Sequence, residues 1–158
     1  MSLILNRYLN EFKTKRPKSC REPINDKEAE LLKRLVKEKF NLILPHQYID
    51  FLKLTNSFNF DGELIYGMDL KYMNGNNGRE HGIIEYNEIY HADELSKRFF
   101  FFGDGNMDAY VLDIEKGNYY FIDKFSHESI KEFENFNSMI EYILKYLVER
   151  LQVNYSDL

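Results

Sequence analysis

The sequence predicts an α+β fold, with helices first, then a run of antiparallel strands, then a closing helix. Three observations predict it. Apolar residues recur at helical spacing through the first third of the chain, in the stretches that carry Leu5, Leu32 and Tyr48. The period then changes, and RFFFFG, AYVLDI and NYYFIDKF read as consecutive strands with short polar breaks. Last, SMIEYILKYLVERL sets Met139, Ile140, Ile143, Leu144, Leu147, Val148 and Leu151 on one helical face. Elements grouped in blocks argue for α+β and against an alternating βαβ sheet.

Element by element, LILNRYLNEF carries Leu5, Tyr8, Leu9 and Phe12 at helical spacing and gives a first helix. The polar KTKRPKSCREP ends it, since Pro17 and Pro23 interrupt helix. Asn25, with Glu28 three residues on, reads as a capping box opening a second helix, whose stripe is Ala29, Leu32, Leu35, Val36 and Phe40. Pro45 stands as the first-turn proline of a short third helix with Tyr48, Phe51, Leu52 and Thr55 on one face. NFDGELIYGMDL reads as strand with a turn at Asp61–Gly62. Asn74–Gly75 and Asn77–Gly78 are strong turn dipeptides, and IIEYNEIYHADEL is a helix of irregular period. Glu115, Lys116 and Gly117 predict a hairpin, and either Asn135 or Ser138 caps the last helix, Ser138 forming a box with Glu141. With no internal repeat, the expectation is one domain over 1–158, residues 1–22 being an N-terminal helix and linker and 23–151 the core of the family resemblance.

A chain of 158 residues fits one domain, and 44% hydrophobic with 30% charged residues excludes disordered and fibrous classes. The net charge is −5, which repels a phosphate backbone, and the basic KTKRPK is one short solvated run. No direct nucleic-acid binding is expected, and a protein partner would be basic. The 12 Tyr and 13 Phe accompany scarce Ala and abundant Lys, Asn and Ile, a bias that AT-rich codons produce, so the aromatics are not read as base-stacking groups. Cys20 is the only cysteine and cannot form an internal disulfide, which fits a reducing compartment. No apolar run approaches the roughly 18–20 residues of a membrane helix, and Leu3–Leu5 is too short for a signal-peptide core, so the expected location is cytoplasmic with no membrane contact.

Three stretches carry a family resemblance. LPHQYIDFLKLTNSF, Leu44 to Phe58, is similar to a pattern LP-x-x-Y-x-x-F-L-x-x-x-N-G. FFFFGDGNMDAYVLDIEKGNYYFID, Phe99 to Asp123, is similar to F-x-x-x-x-x-G-D-x-Y-x-L-D-x-x-x-G-x-V, and ENFNSMIEYIL, Glu134 to Leu144, to a helix start S-F-x-E-F-L. Together and in this order they resemble the SUKH superfamily, of the cell-wall assembly regulator or Smi/Knr type. Two positions depart from it: Ser57 stands where glycine usually follows the asparagine, and Met107 replaces a small residue. The resemblance implies a central antiparallel sheet flanked by N-terminal helices and a C-terminal helix. It also implies a binding protein. Bacterial members are typically immunity proteins that neutralise polymorphic toxins, often nucleases, while fungal members regulate cell-wall synthesis. The family has no established catalytic residues, and none is carried over.

Among candidate sites, GDGNMD comes first. Asp104, Asn106, Asp108 and Glu115 stand at positions 1, 3, 5 and 12 of a calcium loop, but Ala109 occupies the position that needs glycine, and Tyr110 onward reads as strand. The loop is therefore expected to be a strand connection eased by Gly103 and Gly105, and secondarily a surface for a partner. Partner-binding residues are expected at Asp104, Asp108, Tyr119 and Tyr120; the acidic Asp93–Glu94 and Glu132–Glu134 read as solvated faces. His46, His81, His91 and His127 have no metal-ligand spacing, although His81, Glu85 and His91 could cluster. No serine or cysteine has a nucleophile-elbow context. The expectation is a non-catalytic module, with no cofactor and no metal, that binds a cognate protein toxin (a basic nuclease domain among the candidates) as a monomer or homodimer. The alternative is an intracellular regulatory binding module, and a more distant one a metal-assisted hydrolase using His81 and His91.

Overall fold

The computed structural model describes residues 2–73 and 80–152, so the turn dipeptides Asn74–Gly75 and Asn77–Gly78 lie outside the described residues. The described chain runs through α1 (Leu3–Lys15), α2 (Asp26–Phe40), α3 (His46–Leu52), β1 (Phe58–Phe60) and β2 (Glu63–Ile65). It continues through α4 (Ile83–Tyr90), β3 (Phe99–Asp104), β4 (Asp108–Asp113), β5 (Tyr119–Asp123), β6 (Ser129–Phe133) and α5 (Phe136–Gln152). The six strands pair in chain order, each antiparallel to the next, with α4 inserted between β2 and β3. This is the predicted α+β architecture.

Local signals account for much of it. The capping box of α2 is formed: Glu28 N–H donates to Asn25 at 2.8 Å and Asn25 N–H to Glu28 at 2.9 Å. The Asp61–Gly62 turn has φ of 53° and 85°, the paired positive values that suit the twist of a two-residue hairpin. The loops after β4 and β5 share one design. Asp113 accepts from the N–H groups of Glu115 and Lys116, and Asp123 from those of Phe125 and Ser126. Each loop closes through a left-handed residue, Gly117 at φ 79° and His127 at φ 62°. α5 is capped by Asn135, which accepts from Ser138 N–H at 2.9 Å; Glu141 instead accepts from the Ser2 hydroxyl at 2.6 Å.

The run of four phenylalanines is explained by cover on both faces of β3. Phe100 and Phe102 pack against rings of α2, α3 and α5, namely Phe40, Tyr48 and Phe136. Phe101 points the other way and stacks on Tyr90 of α4, with centroids 3.9 Å apart. An alternating pattern is therefore absent because neither face is wet.

Two features differ from expectation. β6 is a further strand whose first four residues are exposed, so it carries almost no hydrophobic signal and is held by pairing with β5. The stretch after Lys18 is docked rather than free. Ser19 is buried, Cys20 bridges to Phe58, and Arg21 N–H donates to Thr55 Oγ1 at 2.9 Å. Burial pushes the Cys20 thiol up.

The departure at Ser57 has a physical cost. Its φ is 84°, a conformation that strains an L side chain by about 1–2 kcal/mol and suits glycine. Replacement Ser57→Gly should stabilise the fold by about 0.5–1 kcal/mol, once the greater freedom of glycine in the unfolded chain is subtracted. An unchanged or lower midpoint in urea unfolding would contradict this account of the turn.

Candidate functional site

Helix α5 lies across one face of the sheet. Near its start it packs tightly, Phe136 meeting Tyr48, Phe51 and Phe102. Two turns on, a groove of about 500 Å3 opens between the helix and the strands. Its floor is one cross-strand row, Tyr110, Phe121 and Lys131. Its helical wall is Tyr142 and Tyr146, 49% and 52% exposed. A bulge in β6 leaves Ile130 without a partner on β5 and lets it line the groove beside Lys131, where strict alternation would send the two to opposite faces.

The far end of the groove is acidic, formed by Glu63 of β2 and Asp108 of β4. Its shape depends on Gly105. A Cβ there would lie 2.5 Å from Glu63 Oε2 and 2.9 Å from the Tyr110 hydroxyl. Neither Gly103 nor Gly105 takes a positive φ, so both serve close approach rather than turn geometry; at Gly103 the neighbour is Leu64 O, 2.3 Å from such a Cβ. Glu63 Oε2 is buried, with no hydrogen-bond partner among the described residues. Burial, and then the carboxylates of Asp108 and Asp104, push the Glu63 carboxyl up to about 7, against an opposing pull from Arg150. The neighbouring cations have other partners: Arg150 pairs with Asp61, and Lys124 lies 3.2 Å from Asp104.

A pH dependence follows. Between its usual value of 4.5 and about 7, Glu63 keeps a proton in the folded state that it loses in the unfolded state. Stability therefore falls as pH rises through that window. Glu63→Gln should stabilise the protein by about 1–2 kcal/mol at pH 8, a figure discounted for partial exposure, and by almost nothing at pH 4. Chemical denaturation of both forms at the two pH values checks it; equal differences at both would refute the assignment.

The four expected partner-binding residues are separated. Asp104 and Asp108 flank the β3–β4 turn, but Asp104 accepts from the Tyr66 hydroxyl as well as pairing with Lys124. Burial, then the Asp104 carboxylate, holds the Tyr66 hydroxyl far above its usual value. Asp108 lines the groove. Tyr119 is only 7% exposed and lies against Phe102, and burial pushes its hydroxyl up to about 12. Tyr120 points to the opposite face, where its hydroxyl donates to Glu132 at 3.3 Å. Alternation along β5 is what parts the two tyrosines.

Glu115 follows the far end of β4 from Asp104, which rules out the calcium-loop geometry. Of the histidine cluster, His81 and Glu85 meet, and Glu85 also pairs with Lys71 at 2.7 Å. His91 is at the other end of α4, a helix about 12 Å long, and its Nε2 donates to Phe99 O at 2.7 Å. Sequence reasoning missed Glu63, Tyr142 and Tyr146. The two tyrosines did leave a signal, since they stand four residues apart outside the apolar stripe of α5.

No helix among the described residues is long and apolar enough to cross a membrane. The family described as SUKH_6: SMI1-KNR4 cell-wall matches residues 32–143, from within α2 to within α5, so the match includes the whole sheet and the acidic end of the groove. No curated protein matches the chain.

Proposed function

The chain belongs to the SUKH_6 family of SMI1-KNR4 cell-wall type, and from that premise we propose that it is a non-catalytic protein-binding module that neutralises a cognate protein toxin in the cytoplasm. The observation that carries this reading is the groove beside α5, where sheet and helix present two half-exposed tyrosines next to the acidic side chains of Glu63 and Asp108. Tyrosine supplies large contact area at low entropic cost, and fixed acidic groups favour a basic partner. Neutralisation would be by occlusion: the module covers the toxin's active surface, and no bond is made or broken. The acidic chain, at net charge −5, would speed the encounter at low ionic strength.

The test is capture of the tagged protein from its native cell, identification of what is bound, and titration of the purified pair. One basic toxin domain, bound with 1:1 stoichiometry and losing activity on binding, supports the reading. The association rate should fall at least tenfold between low and high salt while the dissociation rate changes little. An endogenous cell-wall or regulatory protein as the bound species would transfer the function to the regulatory alternative, which the description of the matching family favours.

A further inference from the structure

We propose that the β3–β4 and β5–β6 loops, which meet at one end of the sheet, are the docking surface for a basic partner protein, and that Phe125 is the side chain the partner takes into an apolar pocket. The inference rests on the reading above that the partner is a protein, and deepens it by naming the face that the partner covers. Lys124 N–H donates to Met107 O at 2.9 Å and so joins the two loops. Phe125 is 80% exposed and Met107 61%. The chain holds its own control for Phe125, because the loop after β4 has the same hydrogen-bonding design as the loop after β5. Two residues beyond the aspartate, one carries the exposed Glu115 and the other Phe125, and each gives its backbone N–H to that aspartate. The turn therefore needs no ring at this position, and Phe125 makes no ring contact among the described residues. An aromatic ring and a methionine side by side in water are the residue types that the cores of protein interfaces concentrate.

Charge selects the partner. Residues 104–108 and 123–128 hold four carboxylates, Asp104, Asp108, Asp123 and Glu128, against one lysine. That lysine, Lys124, lies 3.2 Å from Asp104. Asp108, Asp123 and Glu128 make no ion pair among the described residues. Asp108 and Asp123 stand directly opposite each other in the β4–β5 register, a like-charge placement that a cation from outside would relieve. Cations farther along the chain are turned elsewhere: Lys131 Nζ lies over the Tyr142 ring, 5.0 Å from its centroid, and Arg150 pairs with Asp61. A second copy of the chain suits the surface poorly. A two-fold contact centred here would set these carboxylates against their own copies. A partner with lysines or arginines around an apolar pocket meets both the ring and its acidic surround.

The test puts the photo-cross-linking residue p-benzoylphenylalanine in place of Phe125, Met107 or Glu115 in the full tagged chain, in its native cell, and identifies the joined peptides by mass spectrometry. Positions 125 and 107 should cross-link to one partner, at a segment rich in lysine and arginine. Position 115, at the opposite end of the sheet, should not. With that partner purified, Phe125→Ser should weaken binding by about tenfold or more, mainly through faster dissociation, while its unfolding midpoint in urea stays unchanged. Asp108→Asn combined with Glu128→Gln should slow association about threefold at low salt. Glu115→Ser should leave binding unchanged. Equal cross-linking from position 115, full binding by Phe125→Ser, or cross-links from position 125 to a second copy of the chain would overturn the proposal. A partner captured by the tag but joined at neither 125 nor 107 would also overturn it, while leaving the binding-module reading in place. No bound protein by either route would refute that reading, and the proposal with it.

Discussion

Replacing Asp69 with alanine should cost about 4 kcal/mol and lower the melting temperature by roughly 8–16 °C, on the usual scaling for a chain of this size. Asp69 is wholly buried and accepts from the N–H groups of Gly82, Ile84 and Glu85, each at 2.9 Å. Those donors belong to the first turn of α4, whose own N-cap, Gly82, has no side chain to satisfy them. A helix of eight residues does not hold itself in water, so its start depends on this carboxylate, which also suits the positive end of the helix dipole. Removal would leave three donors in a dry site, each costing about 1–3 kcal/mol before relaxation. Asp69→Asn keeps one acceptor oxygen and should lose about half as much. Thermal and urea unfolding of both variants would decide it, and a loss below 1 kcal/mol for Asp69→Ala would show that α4 is anchored elsewhere.

What the sequence disclosed, and what it hid, divides along the range of the interactions. The α2 capping box, the Asp61–Gly62 turn, the hairpin at Gly117 and the stripe of α5 are set by residues within one or two turns of each other, and all four are found as read. β6 gave no such signal, because its strand character lies in the backbone of β5. The anchoring of α4 was equally hidden. Asp69 precedes the helix by more than a full turn of intervening chain, and nothing local to it points to Gly82.

The candidate site divides in the same way. Asp104 and Asp108 stood out because glycines and carboxylates cluster in GDGNMD. Glu63 did not stand out, since the Gly105 backbone that lies against its carboxyl belongs to a distant segment. Tyr119 and Tyr120 read as neighbours in sequence but are opposed in space, a result that the period of a strand already implies. Tyr142 and Tyr146 belong to the converse case, residues four apart on a helix that act on the same groove.

Asn87→Leu should cost about 3 kcal/mol, and the pattern of the loss matters more than its size. β2 pairs with β3 only at Gly103 and Asp104, and Tyr66 N–H extends the contact to Phe102 O at 2.8 Å. Beyond that point the edge of β3 would stand bare inside the protein. Asn87 takes the place of a strand there, accepting from Phe101 N–H at 2.7 Å and donating to Phe101 O at 2.8 Å, and His91 continues with Phe99 O. One helix face thus supplies amide and imidazole groups where β2 has run out. Leucine is close in volume but offers neither donor nor acceptor, so both Phe101 groups would be left unpaired. Hydrogen exchange should show faster exchange at the Phe101 amide and through α4, while α2 and α5 stay protected. The effect should reach the β3–β4 turn, because Tyr90 stacks on Phe101, Tyr86 stacks on Tyr66, and the Tyr66 hydroxyl holds Asp104. Uniform loss of protection across the chain would mean that α4 unfolds only with the whole protein. Unchanged protection at Phe101 would mean that the side chain of Asn87 does not stand in for a strand.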